Sequence, residues 1–238
     1  MIYKIPFQCH IFQSLLLFFF HASPLSAQTN HYGLQVIDNV LIYRQTVQAD
    51  SLKRMTELKS SVPNIIYDLR YGTTSNFMHR KMYLHNTKLT FLRTEAARAL
   101  ANVQHELNQK GYGLKVFDAY RPYSVTVSFW ELVKDERYVA NPAKGSGHNR
   151  GLAIDLTIVD LKTRKELDMG TGFDNFSDTA HHNFSNLPES VLNNRKLLKE
   201  TMEHFGFSSF DTEWWHYSWP DNRHYEVLDI DFKELAQH

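Results

Sequence analysis

Residues 151–161, GLAIDLTIVDL, form an apolar run rich in β-branched residues and read as a strand. An aspartate, Asp155, stands inside that run. The glycine-rich turn SGHNRG just before it places His148 seven residues ahead of the acid. A histidine in such a turn can be a plain capping or surface group. Two ligands of a metal are the alternative, because neutral imidazole and carboxylate both suit zinc. Gly147 and Gly151 would let the backbone fold closely enough for a turn ligand and a strand ligand to meet. A catalytic zinc site usually needs three protein ligands and an open fourth position, so the rest of the chain must supply what this stretch lacks.

The stretch EWWH, Glu213 to His216, offers the missing parts. His216 would be the third ligand, and Glu213 the base that takes a proton from the attacking water. An aromatic core strand with a charged edge is the simpler alternative. Positions three apart in a regular strand face opposite sides. Glu213 and His216 therefore meet one metal only if the strand bends, bulges or begins there. In FDAYRPYS, Arg121 lies between the end of a strand and Pro122, which disfavours helix before it and stiffens the turn. It reads either as a surface turn residue or as a fixed guanidinium for an oxyanion.

With 238 residues the chain can bury a sizeable core, and 22% charged against 42% hydrophobic residues is a globular balance. The 26 acids match 26 bases, which excludes a basic footprint for nucleic acid or an anionic membrane. Residues 1–27 carry Lys4, an apolar core at Ser14 to Phe20, and small residues at Ser26 and Ala27. That is the layout of a secretory signal peptide cut near Ala27; an uncleaved anchoring segment is the alternative. The expectation is an exported, periplasmic chain with no membrane span after cleavage and one domain over residues 28–238. The single cysteine, Cys9, falls in the removed segment, so no disulfide, thiol nucleophile or thiolate site is expected.

Further along, 62–71 reads as an early strand, 90–113 as a helix stopped by Gly111 and Gly113, and 114–120 as a strand. Residues 124–135 read as a short helix despite their β-branched content, and 188–207 as a helix begun by Pro188 and ended by Gly206. Residues 212–219 and 225–232 read as strands. No regular strand–helix alternation runs through the chain. The expectation is an α+β fold, with helices packed on a central, mostly antiparallel sheet.

SGHNRGLAID, EWWH, DAYRP, DMGTGFDNF and YDLRYGTTSNF together resemble the zinc D-alanyl-D-alanine dipeptidases. That family shares a superfamily with D-Ala-D-Ala carboxypeptidases and L-alanyl-D-glutamate endopeptidases. The resemblance covers about residues 62 to 232. It implies one zinc ion per chain held by His148, Asp155 and His216, with Glu213 as general base and later acid. It also implies that Arg121 stabilises the oxyanion, that Tyr71 lies on the substrate side, and that Ser146 hydrogen-bonds the dipeptide. Asp174 would pair with the substrate's free ammonium, which favours a dipeptide over a longer peptide. A turn-capping role is the plain alternative for Asp174. The adjacent His181 and His182 are left out of the ligand set, which is already complete. The resistance-type members act in the cytoplasm, so export would instead suit salvage of dipeptide released from the cell wall. A D,D-carboxypeptidase and a non-catalytic wall-binding module are the competing readings.

Overall fold

A computed structural model of the chain describes residues 1–2, 28–84 and 87–237. The expected signal peptide and Cys9 lie outside the described residues. Among the described residues, no helix is long and apolar enough to cross a membrane.

In chain order the elements are β1 (Gln28–Thr29), β2 (Gln35–Ile37), α1 (Val40–Ala49), β3 (Met55–Glu57), α2 (Leu58–Ser61), β4 (Ile66–Tyr67) and β5 (Phe91–Arg93). They continue with α3 (Thr94–Gln109), β6 (Tyr112–Asp118), α4 (Tyr123–Val133), β7 (Ala153–Asp160) and α5 (Glu189–His204). The last are β8 (Ser208–Phe210), β9 (Glu213–Ser218), β10 (Val227–Leu228) and α6 (Phe232–Leu235). The main sheet has the order β4-β6-β7-β9-β8. Only β4 runs parallel to its neighbour; the other pairings are antiparallel. The fold is α+β, as the sequence implies.

β7 sits at the middle of this sheet, and seven of its eight residues are buried. Ile154, Leu156 and Ile158 pack against Leu100, Val103 and Leu107 of α3 and Leu198 and Met202 of α5. Residues of the opposite parity in the strand include Asp155, which is therefore turned away from that core. A second cluster, dense in aromatic rings, joins Tyr43 of α1, Phe129 of α4 and Phe232 of α6 to Tyr71, Tyr83 and Tyr120. This cluster explains why Tyr123–Val133 is helical despite three consecutive β-branched residues. Burial of Tyr123, Val125 and Phe129 outweighs a weak local preference.

Several element boundaries differ from the sequence expectation. Only Ile66–Tyr67 of 62–71 is a strand; Arg70–Gly72 then forms a 3-10 turn that delivers Tyr71 to the aromatic cluster. The expected helix over 90–113 is shorter, because Phe91–Arg93 pairs with β3 as β5 before the helix begins. Gly111, at φ +82, does end it, but Gly113 belongs to β6. Of 225–232, only Val227–Leu228 is a strand, parallel to β2; Asp231 then caps α6 by accepting from Lys233 N–H. Helix α1, capped by Asn39, has no counterpart in the sequence reading.

Gly151 closes the turn that precedes β7. Its φ is +68, and a Cβ there would meet Met55 Cε and Sδ at 2.6 Å. The left-handed backbone strains any side chain there, and a Cβ would also force the buried Met55 tip to shift. Gly151→Ala should therefore lower unfolding free energy by about 2 kcal/mol or more, as read from urea denaturation at constant m-value.

Candidate active site

Three strands bring three polar residues into one row. Asp118 of β6 is the cross-strand partner of Asp155 on β7, and Asp155 is the partner of His216 on β9. Directly opposed residues share a face, and an irregularity in the β6–β7 pairing between Val116 and Asp118 brings Asp118, rather than Phe117, opposite Asp155. His216 Nδ1 lies 2.9 Å from Asp155 Oδ1, while its Nε2 is 3.2 Å from Ser218 Oγ.

His148 enters from the turn His148–Arg150. That turn is tied down at several points. Arg121 N–H donates to the His148 carbonyl, and Asn149, fully buried, donates to the Arg121 carbonyl and to Thr126 Oγ1. The buried guanidinium of Arg93 donates to the Arg150 carbonyl at 2.7 Å, and also to the Lys53 and Glu226 carbonyls. The ring of His148 is set by its Nδ1, which lies 2.7 Å from the Ala119 carbonyl. A proton on Nδ1 leaves Nε2 as a lone pair, 3.3 Å from His216 Nδ1. The ligand atoms of His148, Asp155 and His216 all lie within 4.8 Å of one another. Two ring nitrogens and a carboxylate converging in this way are a donor set for a divalent cation.

Glu213 opens β9, and the β8–β9 register shifts between Ser209 and Phe210, beside it. A regular strand would turn Glu213 away from His216. The irregular start brings its Oε2 to 3.8 Å from His216 Nδ1. Burial pushes the Glu213 carboxyl up to about 7, which suits a base working near neutrality. Of the two tryptophans, Trp215 lines the cavity beside it, whereas Trp214 turns away and donates to Thr171 Oγ1.

Arg121 is held in place by Asp118, with Nε and Nη2 at 2.9 and 2.8 Å from Oδ2. Its guanidinium also stacks on Tyr71 and Phe129, 5.0 and 4.9 Å from the ring centroids. Burial opposes the charge most strongly, and Asp118 together with Tyr71, Tyr83 and Asp155 more than offsets it, so the guanidinium stays charged. Asp155 feels the same opposition from burial, but His148 and His216 hold its carboxyl below the usual carboxylate range.

Tyr71, Arg121, Ser146, His148, Asp155, Asp174, Glu213 and His216 all line one cavity of about 260 Å³. Every site residue named from the sequence is thus brought together. The family description Peptidase_M15, D-ala-D-ala dipeptidase, matches residues 51–236. The D-alanyl-D-alanine dipeptidase of Escherichia coli K12 is 33% identical over 178 residues, covering 75% of this chain and 91% of its own. The enzyme of the same description from Enterococcus faecalis is 30% identical, covering 67% and 88%.

The chain belongs to the D-Ala-D-Ala dipeptidase family.

A solved structure of the D,D-pentapeptidase VanY in complex with Zn(II) is a more distant likeness, with TM-score 0.35, 18% identity, and coverage of 56% and 75%.

In this dipeptidase-family chain Asp174 differs from the other cavity residues named above in one respect. Asp174 takes a left-handed backbone, φ +59. Its Oδ1 accepts from Tyr71 O–H at 2.9 Å, while its Oδ2 is buried with no hydrogen-bond partner among the described residues. Ser146 Oγ accepts from His148 N–H, which leaves its own proton to donate elsewhere. His181 and His182 are not among the converging ligands; the His182 ring packs near Tyr217, at 6.1 Å. The sequence reading missed Asp118 and Tyr83, whose hydroxyl also donates to Asp118. The available signal was an acid at the last position of a largely apolar strand, three residues before Arg121.

Burial pushes the Asp174 carboxyl up to about 7. The neutral form is the one the fold favours. Its stabilisation is therefore complete below the ordinary carboxylate range and is lost as pH rises toward 7. In chelator-treated protein, Asp174→Asn should be more stable than the wild type at pH 8, by about 2 kcal/mol after allowance for partial exposure, and equal to it near pH 3.5. Thermal melts at both pH values check this.

Proposed function

We propose that this chain hydrolyses free D-alanyl-D-alanine to two D-alanines, using one zinc ion per chain held by His148, Asp155 and His216. The observation that carries the substrate class is the unpaired Oδ2 of Asp174, in the wall of the cavity that the three ligands also line. A buried carboxylate oxygen with no donor favours a cation, and the α-ammonium of a dipeptide is one of the right size. An N-acylated peptide would leave that oxygen unpaired, at a cost of several kcal/mol.

When bound, zinc supplies a Lewis acid for the attacking water and the scissile carbonyl. Glu213 takes the proton from that water and returns it to the departing amine. Arg121 donates to the oxyanion from a position that Asp118 keeps constant, so little reorganisation is needed as charge develops. Tyr71 fixes one oxygen of Asp174 and leaves the other for the ammonium. The Ser146 hydroxyl donates to the bound dipeptide. If residues 1–27 direct export, the substrate is dipeptide released in the periplasm during wall turnover.

Release of D-alanine from D-Ala-D-Ala should be abolished by chelator and restored by zinc. Faster cleavage of N-acetyl-D-Ala-D-Ala than of the free dipeptide would instead identify a D,D-carboxypeptidase. Glu213→Ala should keep one zinc per chain by elemental analysis yet lose about 10³-fold in kcat. Near wild-type turnover in that variant would overturn the assignment of the base.

A further inference from the structure

Asp174 lies in a long loop between β7 and α5, in which Asp178–Ala180 is a short 3-10 turn. No helix or strand ladder fixes its backbone. Yet Asp174 holds a left-handed φ, which persists only where surrounding contacts over-determine it. The loop on either side of it is tied down from α5. Arg195 sits on the buried stripe of that helix with Val191, Leu198 and Met202, and is itself 4% exposed. A lone charge in such a stripe is costly unless its donors are satisfied. Among the described residues no acid pairs with it. All its hydrogen bonds go to backbone carbonyls: Nε to Met169 at 2.7 Å, Nη2 to Thr179 at 2.9 Å and Nη1 to His181 at 3.1 Å.

We propose that Arg195 is a positioning residue for substrate selection. Its planar fork ties the loop on both sides of Asp174 and so sets the carboxylate where the free ammonium docks. This rests on the reading of Asp174 as the ammonium's partner. Met169 lies before Asp174, and Thr179 and His181 after it, so one guanidinium spans the whole segment that carries the acid. Asn194, next on the helix, adds a bond to the Asp168 carbonyl at 2.8 Å, and Trp214 holds Thr171 from β9. Tyr71 then orients the carboxylate from the opposite side. A lysine could not replace the fork, because its ammonium is a point charge rather than a planar set of donors. The carbonyl of His181, rather than its ring, is what this part of the site uses.

The test compares zinc-loaded wild type with Arg195→Lys on two substrates: D-Ala-D-Ala, and propionyl-D-alanine, which has the same scissile amide but no ammonium. Wild type should strongly prefer the dipeptide. In Arg195→Lys the ratio of the two kcat/KM values should fall about tenfold or more, through a raised KM for the dipeptide, with zinc content and propionyl-D-alanine turnover unchanged. Equal loss on both substrates, or an unchanged ratio, overturns the proposal. Should the lysine variant not fold, Asn194→Ala, at an exposed bond on the same helix, decides. A rise of about threefold in dipeptide KM alone supports the proposal, and an unchanged KM overturns it. If wild type itself fails to distinguish the two substrates, it is the assignment of Asp174 that falls.

Discussion

The site depends first on strand register. Asp118, Asp155 and His216 face one another only because β6, β7 and β9 pair as they do. A slip of one residue in β7 would turn Asp155 into the helix-covered face and bring Ile154 or Leu156 into the cavity. Burial of those isoleucines and leucines against α3 and α5 forbids that slip. The hydrophobic effect, which is not directional, thus fixes the placement of the polar row to a fraction of a strand spacing. Core and catalytic geometry are consequences of the same pairing.

Charge within the cavity is arranged in layers. Arg121 is committed first to Asp118 by two short hydrogen bonds and makes only a looser ion pair with Asp155, its Nη2 lying 3.7 Å from Oδ2. Asp155 therefore keeps its negative charge for a cation among the imidazoles. Glu213 and Asp174 are both pushed up to about 7 by burial. On the proposed reading, the proton state of each answers to what enters the cavity: a metal beside Glu213, an ammonium beside Asp174. Two carboxylates lifted by desolvation at different sides of one cavity can thus take different roles, one moving a proton and the other holding a charge.

Residue type and local pattern made most of the site legible. The run 151–161, the glycine-rich turn and EWWH already contain the three converging donors and the proposed base. What could not be read was how Glu213 reaches the side of His216, because the period of a strand argues against it. The answer lies in the irregular pairing with β8, a tertiary fact. The same limit explains the misjudged boundaries. The strand at Ile66–Tyr67 exists because β6 lies alongside it, and Phe91–Arg93 is extended because β3 is there to pair with it. Arg195 stood in plain sight on the Val191–Leu198–Met202 stripe. A charge at such a position is a signal that something nearby needs donors, but the helical pattern does not say what.

Arg195 and Arg93 answer the same physical problem. A sheet positions side chains through its ladder, but His148 and Asp174 come from segments without one. Their backbone carbonyls need partners if they are to be held in place rather than left to solvent. A buried guanidinium offers several donors in one rigid plane and can join chain segments far apart in sequence. Arg93 joins the carbonyls of Lys53, Arg150 and Glu226 beside the His148 turn. Arg195 does the same around Asp174. The register of the sheet places the ligands from β7 and β9. Carbonyl-bound arginines carry that precision into the two loops that bring His148 and Asp174 to the cavity.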